Sequence, residues 1–336
     1  MAFIHVKRVG DTSYYTLRVS TRKGDRVITR DLCNLGSDLS KVDLGSLEKK
    51  YHDEIRKSYK TLNRFLETNH YLEKAKKEKP VSDAYFNKEQ MLEISAIHLH
   101  YRARFLKLDN LTQTEIMENF TLNFAVNSTS IEGNTITMKQ AHALFKEDIM
   151  PKDRTLREVH DLTNTKKAWE YLMAKKPKID IGLVEYLHDM LLEGIDARKG
   201  FRMHDIRIFG QPFKPTPARY VIPDVKMLLR WYEENKNKIH PLALSAFVHH
   251  KFENIHPFSD GNGRTGRMLM SYILFLSGYP PMVISRRFRK EYLDVMNEAD
   301  KSLKQGITKV DMNYYKELLE FIYSQYRLSY WDIFLV

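Results

Sequence analysis

The chain of 336 residues is 43% hydrophobic and 29% charged, a globular mixture whose length suits about two domains. Its 14 glycines and 11 prolines exclude collagen-like and turn-dense all-β chains, and a single cysteine, Cys33, excludes a disulfide framework or a multi-cysteine zinc module. An excess of 54 Lys and Arg over 43 acids gives +11, which favours anionic partners, nucleotide or nucleic acid, without choosing between them. The longest apolar run, Met268 to Leu276, is far short of the ~20 residues that cross a bilayer. The opening MAFIHVKRVG lacks a signal-peptide core, so a cytoplasmic protein without a membrane partner is expected.

The first thirty residues alternate as strands do. Ile4 and Val6, then Tyr15, Leu17 and Val19, then Val27 and Thr29, share faces between the turns at Gly10-Asp11 and Lys23-Gly24-Asp25. The pattern predicts a three-stranded antiparallel meander whose apolar face needs a cover. From Leu47 the period lengthens, and Leu47, Tyr51, Ile55, Leu62 and Leu66 predict one long amphipathic helix. It fades into the charged stretch Glu73 to Lys79 and stops near Pro80. Residues 1–80 thus read as a candidate binding module, and 81–110 as a connecting helix.

Helical periodicity continues near 86–107, 112–128, 137–147, 154–174, 180–193, 223–236, 241–253, 263–277, 286–299 and 309–328. The exception is 204–222, where Gly210, Pro212, Pro215 and Pro217 forbid a helix and predict a loop or short hairpin. The fold class is mainly α: a helical body over 111–300, then a helix and tail over 301–336. The aromatic end, Tyr330 to Val336, is read as a cover for the core, with a homodimer contact as the other option.

Chemistry concentrates in His256-Pro257-Phe258-Ser259-Asp260-Gly261-Asn262-Gly263-Arg264-Thr265-Gly266-Arg267. A glycine-rich turn entering a helix presents free N–H groups and the positive end of the helix dipole, an anion cradle. Arg264 and Arg267, three apart, lie on one side of the first turn and suit phosphate oxygens. Asp260 is a hard oxygen ligand of the kind that shares Mg²⁺ with substrate phosphates. His256 alone in the run takes a proton near neutral pH. A base, a metal ligand and phosphate clamps without an obvious nucleophile point to direct nucleotide or phosphoryl transfer.

The run resembles the H-x-F-x-[D/E]-G-N-G-R-x-x-R pattern of the Fic family at every specified position. Gly200-Phe201-Arg202 with Asp205-Ile206-Arg207-Ile208 is similar to the segment leading into that family's flap, and His240-Pro241-Leu242-Ala243 through His250, Phe252 and Ile255 to its catalytic helix. Gly278-Tyr279-Pro280-Pro281 fits as well, and the likeness runs from about 112 to 300. It implies a Fic-type helical bundle with a small β-hairpin flap over 204–222, on which an unknown target protein docks. It also implies an adenylyltransferase: His256 deprotonates a Ser, Thr or Tyr hydroxyl of the target, or of the chain itself. That oxygen attacks the α-phosphorus of ATP. Asp260 is implied to hold Mg²⁺, and Asn262 with the N–H groups of Gly261 and Gly263 the α- and β-phosphates. Arg264 and Arg267 would clamp the β/γ end, with Tyr292 lining the adenine and ribose pocket. Phe258 is read as a packing anchor.

Upstream, Ser128-Thr129-Ser130-Ile131-Glu132-Gly133 is similar to the family's inhibitory pattern, [S/T]-x-x-x-E-[G/N]. The resemblance implies that Glu132, ending a short helix closed by Gly133, pairs with Arg267 and restrains the enzyme. Inhibition and support for AMP removal are both open to Glu132. A Fic-like phosphotransferase would carry alanine and lysine where this chain has Gly261 and Gly263. A nucleic-acid-binding regulator with a vestigial body is the rival from another class, resting on Arg18, Arg22, Lys23, Arg26 and Arg30.

Overall fold

The computed structural model describes residues 1–10, 12–78, 82–207 and 214–335, with Gln305 described by its backbone alone. The chain is mainly α with one small sheet, as expected. It divides into two compact units, one of Met1–Ser82 with Lys88–Arg104, the other of Asp83–Asn87 with Phe105–Phe334.

In the first unit, β1 (Ala2–Val9), β2 (Thr12–Lys23) and β3 (Arg26–Gly36) form an antiparallel meander in that order. Bulges between Tyr15 and Thr16 and between Leu17 and Arg18 shift the β2–β3 register, so Leu32, Cys33 and Leu35 are the β3 residues packed on the core. Val27 was expected to share an apolar face; it is 68% exposed, because it pairs with Arg22 beyond the reach of β1.

The cover for the sheet is not the single helix that the period predicted. It is α1 (Leu44–Lys50), α2 (His52–Ile55) and α3 (Tyr59–Lys77), which put Leu44, Ile55, Leu62 and Leu66 against Ala2 and Leu17. The helix breaks at Tyr51 and Ser58, and the break has a use: Ser58 Oγ accepts the Ala2 N–H at 3.0 Å, tying the turn to β1. Then α4 (Lys88–Ala103) packs on α3 through Tyr71, Ala75 and Ala96.

The second unit holds α5 (Asn110–Ile131), α6 (Met138–Glu147), α7 (Leu156–Lys175), α8 (Ile181–Leu191), α9 (Ala218–Asn235), α10 (Pro241–Ile255), α11 (Asn262–Leu276), α12 (Arg289–Ala299) and α13 (Met312–Ile333). Local chemistry sets their starts. Asp109, Asp180 and Asp311 each cap a first turn, while Thr137 with Gln140 and Thr155 with Glu158 form capping boxes. At the centre α10 packs on α11, which is buried from Arg264 to Leu274, the mark of a helix enclosed on all sides. Tyr330, Trp331 and Phe334 are buried, and Phe334 meets Phe105 edge-on at 5.3 Å, so the aromatic end packs into the core.

The structure departs from the predicted pattern at two places. The loop predicted over 204–222 ends early, because α9 starts at Ala218 directly after Pro217, a position where proline does not oppose a helix. Among the described residues of 204–217 there is no strand, and the rest of the predicted hairpin, 208–213, lies outside the described residues. The acid Glu132 ends the 22-residue α5, not a short helix. Among the described residues no helix is long and apolar enough to cross a membrane.

Candidate active site

The loop between α10 and α11 begins where α10 stops. His256 caps α10 with a left-handed backbone (φ 52°), a conformation that a non-glycine residue holds only when its surroundings enforce it. Arg202, itself buried, supplies that enforcement. Its Nε donates to the His256 carbonyl at 2.7 Å, its Nη2 to the Ile255 carbonyl at 3.3 Å, and its backbone N–H to the Pro257 carbonyl at 3.0 Å. Phe258 is fully buried between two near-parallel rings, His188 at 3.8 Å and Phe201 at 5.1 Å. Asn262 closes the loop, accepting the Phe258 N–H and donating to the Phe258 carbonyl, each at 2.9 Å.

His256 Nδ1 lies 3.2 Å from the Glu253 carbonyl. A carbonyl only accepts, so Nδ1 carries the proton and Nε2 keeps its lone pair. Burial pushes the imidazole down to about 4, so the ring is neutral at physiological pH. It is placed and protonated as a base.

Gly261, with φ 77°, opens α11, and its N–H donates to Asp260 Oδ1 at 2.6 Å. Asp260 also meets Arg157 Nη2 at 2.5 Å and Arg264 Nη2 at 3.2 Å. Burial alone would raise its carboxyl, but Arg264, the Gly261 N–H and Arg157 hold it below the usual carboxylate value. Arg264 pairs in addition with Asp161 of α7. Among the described residues no three His, Cys, Asp or Glu converge as a metal cage. The donor set is one carboxylate, 31% exposed, beside an anion cradle, and that fits an ion drawing its other ligands from phosphate and water. Both of the Asp260 oxygens are taken, Oδ1 by the Gly261 N–H and Arg264 and Oδ2 by Arg157, so an ion at Asp260 would displace a donor.

Arg267, one turn along α11, is 2% exposed and held by α5. Its Nε donates to Ser128 Oγ at 3.1 Å, and its Nη2 to the Ser128 carbonyl at 2.9 Å and to Glu132 Oε1 at 2.7 Å. Gly133 closes α5 with φ 108°. The Glu132 carboxylate lies in the space that a Cβ on Gly263 would fill, so it rests directly on the first turn of α11. Burial opposes the charge on Arg267, and the Glu132 carboxylate is the anion that keeps it cationic.

Glu132, His256, Asp260, Gly261, Asn262, Gly263, Arg267 and Tyr292 share one cavity of about 330 Å³, continued by Asn297 and Asp300. Tyr292 is buried with its hydroxyl 2.7 Å from His249 Nε2, and Asp300 bonds His250 at 3.1 Å and Asn254 at 2.8 Å. Arg264 stands behind Asp260 in its pair with Asp161. A second acid, Glu253, is largely buried and lines the same cavity. Glu253 Oε1 faces His249 Nδ1 at 3.9 Å, and neither atom has a hydrogen-bond partner. Both press on Gly266, where a Cβ would stand 2.5 Å from the Glu253 oxygen and 2.8 Å from the His249 nitrogen.

Five of these residues escaped the reading of the sequence as site residues. Arg157 and Asp161 reach the loop from α7, about a hundred positions away, and nothing local marks them. The clamp role of Arg202 is a matter of fold alone. His249 and Glu253 did leave a signal, since 249, 253 and 256 follow helical spacing onto one side of α10.

Residues 178–274 match the Fic/DOC family. Over 186 residues the chain is 32% identical to the protein adenylyltransferase Fic of Drosophila melanogaster, an alignment covering 52% of this chain and 37% of that protein. The chain thus spans little more than a third of the length of the curated relatives it matches. A Fic-domain-containing signaling protein from Bacteroides thetaiotaomicron has the same fold, with a TM-score of 0.64 at 21% identity over 70% of this chain and 94% of that one. A Fic family protein from Desulfovibrio desulfuricans superposes with a TM-score of 0.59 at 25% identity, covering 75% of this chain and 76% of its own.

Proposed function

We propose that this chain, which carries a Fic/DOC-family domain over residues 178–274, transfers AMP from ATP to a Ser, Thr or Tyr hydroxyl of a target protein, or of itself, under restraint by Glu132. The acceptor oxygen forms a bond to the α-phosphorus, the bond to pyrophosphate breaks, and His256 Nε2 takes the hydroxyl proton. A neutral imidazole with Nδ1 committed to the Glu253 carbonyl suits that task. The first turn of α11 receives phosphate oxygens through the Gly263 N–H, and through the Gly261 N–H once its bond to Asp260 Oδ1 is given up. Asn262 keeps one amide hydrogen for the same purpose while its other contacts brace the loop. Asp260 would hold Mg²⁺, which supplies charge neutralisation to the triphosphate. Arg264 orients Asp260 from behind, and Arg267 is the cation for the far end of the triphosphate. Tyr292 and Asp300 line the end of the cavity that suits adenine and ribose.

The observation that carries the restraint is the 2.7 Å pair between Glu132 and Arg267, with the carboxylate lying on Gly263. An anionic side chain on the cradle and a triphosphate on the same cradle exclude each other. The irregular segments 204–207 and 214–217, tied down by Arg202 at the His204 and Thr216 carbonyls, suit the base of a flap that receives the target by backbone pairing. Gly261 and Gly263 favour AMP transfer over γ-phosphate transfer. The position of Glu132 at the cavity wall also suits orienting a water for removal of AMP from a modified target.

The test is label transfer by the Glu132→Gly variant, supplied in parallel with ATP labelled at the α- or the γ-phosphate. Label from the α-position alone on protein supports AMP transfer. Label from the γ-position alone would make the chain a phosphotransferase, and no label from either would end both readings.

A further inference from the structure

The meander of the first unit changes character along its length. β1 pairs with β2 only from Thr12 to Val19, and Met1 reaches no further than Ser20. Beyond that point β2 and β3 continue alone as a two-stranded ribbon, Thr21 opposite Ile28, Arg22 opposite Val27, Lys23 opposite Arg26, turned at Gly24 (φ 59°). Every residue from Thr21 to Arg30 is exposed. A bare ribbon of this kind has no core of its own and is marginal without something to bind.

What it displays is specific. Arg22, Lys23 and Arg26 crowd its outer end against one acid, Asp25 at the turn. Arg22 Nε is held at 3.1 Å by the Gly24 carbonyl, which fixes that guanidinium at the tip. Arg30 at the base pairs with Glu54 at 2.7 Å and is spoken for. Val27 and Ile28, at 68% and 50% exposure, stand on opposite faces among these cations. Charged side chains guard a solvated edge, and cations interleaved with exposed β-branched methyls suit in addition a surface that is both anionic and apolar.

Duplex DNA in B form has that chemistry. Its major groove, about 12 Å wide, admits a two-stranded ribbon whose strands lie about 4.8 Å apart. Phosphates line both walls, and thymine methyls project from the floor. The major groove of A-form RNA is too narrow for the same entry. We propose that the β2–β3 ribbon inserts into the major groove of duplex DNA, with Arg22, Lys23 and Arg26 on phosphates and Val27 or Ile28 toward the base edges. No ribbon residue lines the cavity around His256, so this proposal and the AMP-transfer reading can fail independently.

The experiment is fluorescence anisotropy of the full chain with a labelled mixed-sequence duplex of about 21 base pairs, two helical turns, between 50 and 200 mM salt. The wild type should bind, with log K falling linearly against log salt. R22S/K23S/R26S should lose at least tenfold in affinity at low salt, with a slope shallower by about 2 to 3. K57S/K76S/K77S, which removes three exposed charges elsewhere in the same unit, should stay within about threefold of wild type. Should the triple ribbon variant fail to fold by circular dichroism, K23S alone should still reduce the slope by about 0.9. Absence of binding at 50 mM salt would overturn the proposal. So would an equal loss in the control variant, or duplex RNA of the same length binding as tightly as DNA.

Discussion

Arg267 Nη2 donates to Glu132 Oε1 at 2.7 Å across an asymmetric boundary, the arginine 2% exposed and the carboxylate 46%. The cation is therefore fixed in the protein while its partner is reachable from solvent and removable. Ser128, through both its hydroxyl and its carbonyl, keeps Arg267 aimed at the same place when Glu132 leaves. That asymmetry is what a replaceable restraint needs.

Glu132→Gly should accordingly raise AMP transfer by at least tenfold under the proposed function. It should also lower stability, since a buried cation loses its counter-charge. With the carboxylate half exposed, the loss should be about 1–2 kcal/mol rather than the larger penalty of a fully buried pair. Thermal melts with and without Mg-ATP measure both effects, because nucleotide should recover the lost stability in the variant more than in the wild type.

The pH profile of that variant follows from His256. Burial holds its imidazole at about 4, and the neutral ring is the base. Transfer should stay level on this account from about pH 8 down to pH 5.5 and fall as pH drops through about 4. His256→Ala in the same background should reduce the rate by about 10²- to 10⁴-fold. A profile breaking near pH 6.5 would indicate a solvated histidine.

Glu253 predicts an opposite limb in stability. Burial raises its carboxyl to about 8, against the ordinary 4.5 of the unfolded chain. A raised folded pKa means stability complete below 4.5 and lost as pH rises through 8. Glu253→Gln removes that dependence, so its melting temperature should exceed that of wild type at pH 9 and approach it near pH 5. Buried His256 and His100, both pushed down to about 4, give the reverse slope. Their contribution is present above 6.5 and lost as pH falls toward 4, in both proteins alike.

Arg202→Ala should slow transfer without touching the cavity. The arginine holds the carbonyls of Ile255 and His256 and so sustains the left-handed backbone of the base. Loss of the clamp should lower the turnover rate at least tenfold and leave nucleotide affinity, read by thermal shift, nearly unchanged. An equal fall in affinity and rate would make its role general folding.

Much of the second unit was legible because helical periodicity survives where one face is buried, as α6 to α8, α12 and α13 illustrate. The loop from His256 to Arg267 was legible for a different reason: its chemistry is contiguous in sequence. What escaped was non-local. Asp161 and Arg157 engage Arg264 and Asp260 from a distant helix, and ion pairs of that span leave no pattern in the chain. The break at Ser58 was hidden because Leu47 to Leu66 keeps its apolar spacing through a turn made for a hydrogen bond to β1. The start of α9 was misjudged because Pro217 reads as a breaker, whereas a proline just before the first turn permits a helix.

The restraint and the chemistry meet in one measurement, intact and peptide mass spectrometry of Glu132→Gly and Glu132→Gly/His256→Ala after incubation with Mg-ATP. The single variant should carry an adenylyl adduct on a Ser, Thr or Tyr hydroxyl, and the double variant none. An unmodified single variant that also leaves added protein unmodified, or an adduct that persists without His256, would contradict AMP transfer by His256.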